Sequence, residues 1–188
     1  MKIRELRDDD LVDAVRILAL CFEKELTAVF RDIDISRELL IDFFRENKNG
    51  CYVVEDRRVI AFAWILTEKK RILKFLRKRI GILDGLRAYL LLRFFVRTPK
   101  KGEAFLIFIC VSPLRQKSGV GSALMLEIIK RAKESGVKLL KCIIPAESNS
   151  VYFFKKFGFE IIQLFENRLA EKYFSSNQWI LMSKYLSA

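Results

Sequence analysis

Histidine is absent from all 188 residues. That removes Ser-His and Cys-His nucleophile pairs and the common zinc sites from consideration. Cysteine is scarce and poorly placed for a metal. Cys21, Cys51, Cys110 and Cys142 lie scattered inside apolar runs without ligand-like spacing, so they read as buried, reduced thiols. No Gly-Lys-Ser/Thr ends a glycine loop, which excludes a P-loop. The most apolar stretch, Leu86 to Val96, is too short and too interrupted by arginine to span a bilayer. The opening "MKIRELRDDD" reads as a strand entering a helix and not as a charged-then-apolar leader, so a cytoplasmic protein is expected. There is neither an internal repeat nor a low-complexity linker.

What is present is a generous apolar content with 16 phenylalanines, enough to build one packed domain over residues 1–188. The formal charge is +12, and its distribution matters more than its size. Residues 69–101 hold twelve Lys or Arg against one acid, Asp84, while the rest of the chain has 23 basic against 22 acidic residues. The protein therefore carries a basic insert on a nearly neutral body.

"KIRELR" alternates like a short strand. "DDDLVDAVRILALCFEKEL" has Leu11, Val15, Leu18 and Phe22 at helical spacing, with Asp8 or Asp9 as cap. "SRELLIDFFREN" predicts a second helix capped by Ser36 and leaving through Asn47 to Gly50. "CYVVEDRRVIAFAWILTE" predicts a hairpin turning at Asp56-Arg57-Arg58. After the insert come a buried strand over 103–111, a helix over 119–135 ended by Gly136, and a buried strand over 138–144. A short helix ended by Gly158 follows, then two strands, or a strand and a loop, at "EIIQLFENRL" and "QWILMSKYL". This alternation predicts an α/β (α+β) fold, a mixed sheet with helices on both faces, in which 103–144 form one right-handed crossover unit.

The stretch "VSPLRQKSGVGSALM", Val111 to Met125, joins a buried strand to an amphipathic helix. Gly119 and Gly121 fall in the first helical turn, where several N–H groups lack an intrahelical partner. Helix dipole and bare backbone together make an anion site, with Arg115 and Lys117 adding charge. An ordinary strand-to-helix turn is the plain alternative. A dinucleotide fingerprint is not, because Leu124 stands where its third glycine belongs.

The pattern Gln116-Lys117-Ser118-Gly119-Val120-Gly121, followed by "FFKKFGFE" with Gly158-Phe159, resembles the GNAT superfamily of acyl-CoA N-acyltransferases. The resemblance covers nearly the whole chain apart from the insert. It implies a largely antiparallel central sheet of six to seven strands flanked by helices, with the helical insert between the third and fourth strands. It also implies an N-acetyltransferase moving acetyl from acetyl-CoA to a primary amine of a small molecule or peptide, by direct attack in a ternary complex. The loop Gln116, Lys117, Ser118, Gly119, Val120, Gly121 and Ser122 would bind the CoA pyrophosphate. Ile109, Cys110 and Val111 would run along the pantetheine arm, and the Val111 backbone N–H would polarise the acetyl carbonyl. Cys110 is then a buried small side chain and no nucleophile.

The sequence departs from the family at its acid and base. The tyrosine that often protonates the leaving thiolate is replaced by Phe154, which has no proton to give. Tyr152 lies about 200° round the helix from it. Glu147 stands where an asparagine often contacts pantetheine, with Asn149 close by as a substitute. Glu103 is the acid near the fourth strand, and a solvated strand end is its plainer role. Proximity alone carries much of such a reaction, so acetyl transfer and a CoA-binding module with little turnover both stay open.

In the insert, Ile72, Leu76, Ile80, Leu83, Leu86, Leu90 and Phe94 follow a helical stripe, and Gly81 and Asp84-Gly85 are expected to break it into two helices. Three roles compete: a solvated hairpin packed on the domain, a wall of the acceptor site, or a surface meeting an anionic membrane or a second subunit. Nucleic acid is not expected, because the residues between the cations are mostly Leu and Ile and offer little to stack on bases.

Overall fold

The structure, a computed structural model, describes residues 1–186. In chain order it runs β1 (Lys2–Glu5), α1 (Leu11–Cys21), α2 (Glu23–Phe30), α3 (Ile33–Glu46), β2 (Cys51–Asp56), β3 (Arg58–Leu66), α4 (Ile72–Ile80), α5 (Ile82–Leu92), β4 (Glu103–Val111), α6 (Val120–Glu134), β5 (Leu139–Pro145), α7 (Ser150–Lys156), β6 (Glu160–Glu166), α8 (Arg168–Phe174) and β7 (Gln178–Tyr185). The sheet order is β1-β2-β3-β4-β5-β7-β6. Every pairing is antiparallel except β4 with β5.

The pleat divides the core in two. Val53, Phe62, Trp64 and Phe105 face the side covered by α1–α5 and α8. Tyr52, Val54, Ala61, Ala63 and Leu106 face α6 and α7.

Local chemistry shifts several expected boundaries. Asp10, not Asp8 or Asp9, organises the entry to α1. Its carboxylate accepts from the Arg7 amide at 2.8 Å and from the Arg4 guanidinium at 2.5 and 2.9 Å. The hydrogen bonds from Arg4 hold the Asp10 carboxyl below its ordinary range. The lowered value means that the ionised form is favoured by folding. This stabilisation is complete above about pH 4–5 and drains away as pH falls through the ordinary carboxylate range toward the lowered value. Asp10→Asn is expected to lower stability near neutrality and to flatten the acid side of a urea-unfolding profile.

The long first helix breaks at Phe22 (φ −130°, ψ 32°), whose ring packs 6.3 Å from that of Phe108. Asp32 caps α3 through the amides of Asp34 and Ile35. Ser36, expected as that cap, is instead fully buried one turn inside, its hydroxyl donating back to the Asp32 carbonyl. After β6 the chain forms α8 where a strand or loop is expected. The Asn167 side chain accepts from the Ala170 amide at its start.

The insert is a helical hairpin broken at Gly81 (φ 84°). Gly85 does not break it. It lies inside α5, where a Cβ would come 2.9 Å from the Arg77 nitrogen, so it marks the point where α5 crosses α4. Arg87 donates to the carbonyls of Val29 and Ala28 at 2.8 and 2.9 Å, which closes the C-terminal end of α2. Arg79 pairs with Asp42 at 2.6 Å. Among the described residues no helix is long and apolar enough to cross a membrane.

Candidate active site

β4 and β5 pair only at Glu103↔Leu139, Ala104↔Leu140 and Phe105↔Lys141. Beyond this they part, β4 continuing with β3 as far as Val111 and β5 with β7 as far as Pro145. A bulge helps β4 turn away. Trp64 pairs with Phe108 and Ile65 with Leu106, leaving Ile107 as the extra residue.

The parting strands leave backbone groups facing a gap. The Ser112 amide donates to the Ile60 carbonyl, and successive residues of an antiparallel strand point their amides to opposite sides. The Val111 amide and carbonyl therefore face away from β3. Its carbonyl accepts from Gln116 Nε2 at 3.3 Å and from the Cys21 thiol at 3.5 Å. These two contacts fix the plane of the peptide group at the end of the strand.

The chain then makes a tight Pro113–Arg115 turn and enters α6. Lys117 and Gly119 both take positive φ, 59° and 84°. In this conformation the amides of Lys117, Ser118 and Gly119 donate to no acceptor among the described residues. They lie at the positive end of the α6 dipole. Gly121 has an ordinary φ, but a Cβ there would touch Val111 Cγ2 at 3.4 Å and the Phe153 ring at 3.9 Å. Its missing side chain keeps open the passage between the loop and the gap.

One cavity of about 810 Å³ runs from this loop through the gap into the body of the protein. Ile109, Cys110 and Val111 line it from β4. The loop contributes Gln116, Lys117, Gly119, Gly121 and Ser122, and Asn149 and Phe154 close the α7 side. Two residues of the loop motif stand outside the lining. Ser118 donates to the Arg115 carbonyl, and the Val120 side chain is buried in the core. Glu103 sits at the far end of β4, paired with Lys141 at 2.6 Å, whose hydrogen bond lowers its pKa. Tyr152 is 76 % exposed. Neither lines the cavity. Cys110 does, but its thiol donates to the Phe62 carbonyl at 3.2 Å, and burial pushes its pKa well up, so it holds no thiolate to act as nucleophile.

The lining also contains Glu25 of α2, the single carboxylate there among the described residues. Sequence reading missed it because it sits among charged neighbours on a surface-like helical stretch, and only the break at Phe22 and the packing of α2 bring it to the cavity. Trp64 lines the cavity too, and its buried Nε1–H has no acceptor among the described residues.

Free amides at a helix start, an open backbone edge and a passage between them suit a ligand with an anionic diphosphate and an extended arm. The chain resembles several solved structures in fold. It matches Ard1 from Thermoplasma volcanium with a TM-score of 0.66 at 19% identity, covering 100% of this chain and 98% of that one. It matches a ribosomal-protein-alanine N-acetyltransferase from Brucella melitensis with a TM-score of 0.68 at 18% identity, over 99% and 100% of the two chains. It matches a phosphinothricin acetyltransferase from Sinorhizobium meliloti in complex with AcCoA, with a TM-score of 0.65 at 17% identity, over 99% and 88%. At these identities the likeness is one of fold. Sequence comparison with curated proteins finds no significant match. The sequence profile of the acetyltransferase (GNAT) family, however, matches residues 11–159, more than half of the chain. The chain belongs to the acetyltransferase (GNAT) family and is an acetyl-CoA-dependent acyltransferase.

Proposed function

We propose that the protein acetylates a primary amine by direct attack on acetyl-CoA, with both substrates held in the continuous cavity. That continuity, from the amide loop at α6 to Glu25, is the observation that carries the reading. The amides of Lys117 and Gly119 hold the pyrophosphate, with the side chains of Arg115 and Lys117 beside them. Ile109 and Val111 offer the free edge of β4 to the pantetheine arm, and Asn149 and Phe154 bound it on the other side. Acetyl-CoA supplies the acetyl group activated as a thioester.

The Val111 amide, which faces away from β3 toward the gap, polarises the acetyl carbonyl. Glu25 attracts the ammonium of the acceptor and takes its proton. Neither Phe154, which cannot donate, nor Tyr152, which does not line the cavity, supplies an acid for the thiolate, so water serves. Calorimetric titration with acetyl-CoA and a thiol-release assay with amines test this. Glu25→Gln is expected to raise KM for the amine roughly 10- to 100-fold, the worth of a hydrogen bond to a charged group, while leaving acetyl-CoA affinity unchanged. Equal KM and kcat values in the two proteins would remove Glu25 from the mechanism.

A second reading concerns where the enzyme works. Ile82, Leu83, Leu86 and Leu90 form an exposed stripe on α5, Leu83 at 84 % exposure. Leu73, Lys74, Arg77, Lys78 and Ile82 share a shallow groove beside it. Apolar side chains bordered by free cations suit an anionic membrane surface. Co-sedimentation with phosphatidylglycerol vesicles, and not with phosphatidylcholine alone, is expected, and Leu83→Asp with Leu86→Asp should abolish it. A concentration-dependent dimer without vesicle binding would assign the stripe to a second copy.

A further inference from the structure

We infer that the inner half of the cavity seats a long hydrocarbon chain carried by the substrate; this rests on the proposed acyl transfer and names the substrate class for it. Protein interiors pack closely, with few voids larger than a water molecule. Here the cavity extends past the acetyl position into the space between α2, α3, β3 and the insert. Its inner wall is built from apolar side chains of separate elements: Val29 and Phe30 of α2, Phe43 of α3, Phe75 and Leu76 of α4. The segment after α5 closes it with Phe95 and Val96. The aromatic members are locked edge to face, Phe43 lying 5.5 Å from Trp64 and 5.4 Å from Phe75. Such locked rings hold the chamber open and do not collapse into it.

The charged side chains of the lining are Arg115 and Lys117, on the loop proposed to bind pyrophosphate, and Glu25. A peptide or polar amino acid placed inside would leave buried polar groups without partners. A chain with one polar end meets no such penalty. Its length follows from the volume. At roughly the volume of one water per methylene, about 30 Å³, half of the 810 Å³ cavity holds on the order of a dozen carbons.

The chain belongs either to the acceptor, an alkyl primary amine, or to the acyl group. The chemistry is the same in both. The amine lone pair forms the C–N bond, the C–S bond breaks, CoA leaves as thiolate, and the ammonium proton passes to Glu25 and on to water. That α2 supplies both Glu25 and the apolar residues Val29 and Phe30 favours the amine as the bearer.

The test uses the full chain below micellar concentrations. One arm titrates and assays ethylamine through hexadecylamine with acetyl-CoA; the other assays acetyl- through palmitoyl-CoA with ethylamine. Affinity read by calorimetry is expected to rise about fourfold per methylene, ~0.8 kcal/mol, and to level off near a dozen carbons. The arm that shows this identifies the bearer. Val29→Phe should move the plateau to shorter chains. Affinity that is flat with chain length in both arms, or that climbs without a plateau, overturns the inference even if acetyl-CoA binds. Failure of acetyl-CoA itself to bind would instead overturn the proposed function.

Discussion

Gly121→Asp is expected to abolish acetyl-CoA binding while leaving the fold at least as stable as the native protein. The residue is the second of α6, whose N-terminal amides carry the positive end of the helix dipole. An acidic side chain there favours the helix, and aspartate replaces a glycine that costs helix stability. The new Cβ meets a Val111 methyl at 3.4 Å and the edge of the Phe153 ring, neighbours that give by a few tenths of an ångström. The same carboxylate faces the proposed pyrophosphate site. Two like charges about 4 Å apart repel by ~4 kcal/mol at the effective dielectric of a protein surface. A loss of at least 100-fold in affinity therefore follows, read by calorimetry, beside a thermal unfolding midpoint that holds or rises. Gly121→Ala separates charge from bulk: it adds the same Cβ and should lose far less. Native-like affinity in the aspartate variant would move the anion site away from this loop.

The loop could be found in the sequence because its signal is local. A buried strand, two glycines and an amphipathic helix follow one another within some twenty residues, and each part is set by neighbours along the chain. Most of the element order along the chain follows from the same run of periodic segments, whereas the exchange of β7 and β6 in the sheet does not. The features that fail to show are those decided by distant contacts. Ser36 looks like a cap because it is a serine before an apolar helix, yet Asp32 four residues earlier caps α3, and Ser36 is drawn inward to the Asp32 and Leu26 carbonyls. Phe22 continues a helical period, but packing on Phe108 is accompanied by a break there. Glu25 is one acid among several on a helix until tertiary packing turns it to the cavity. The insert is half legible. Its stripe is visible, but not the division of that stripe between Ile72 and Leu76, buried, and Leu83, Leu86 and Leu90, exposed.

Gly85 shows most clearly how local grammar and packing diverge. Asp84-Gly85 reads as a helix breaker, and a breaker tolerates substitution by most residues that favour turns. In the structure Gly85 is buried inside α5 with Arg77 N, Leu76 C and Arg77 Cα of α4 within 2.9–3.1 Å of where its Cβ would stand. These are backbone atoms and cannot rotate aside. Gly85→Val must push the two helices apart, an overpacking cost of about 3 kcal/mol, or a Tm drop of roughly 6–12 °C for a protein of this size. The displacement acts on the cavity as well, since α4 carries Phe75 and Leu76 in its wall. The loop proposed to bind pyrophosphate precedes α6, away from this crossing. The variant should therefore bind acetyl-CoA normally at temperatures where it is folded, while losing its preference for chains of one length. A Gly85→Val protein as stable as the native one would show that α4 and α5 do not cross at this point, and the wall they give the chamber would have to be redrawn.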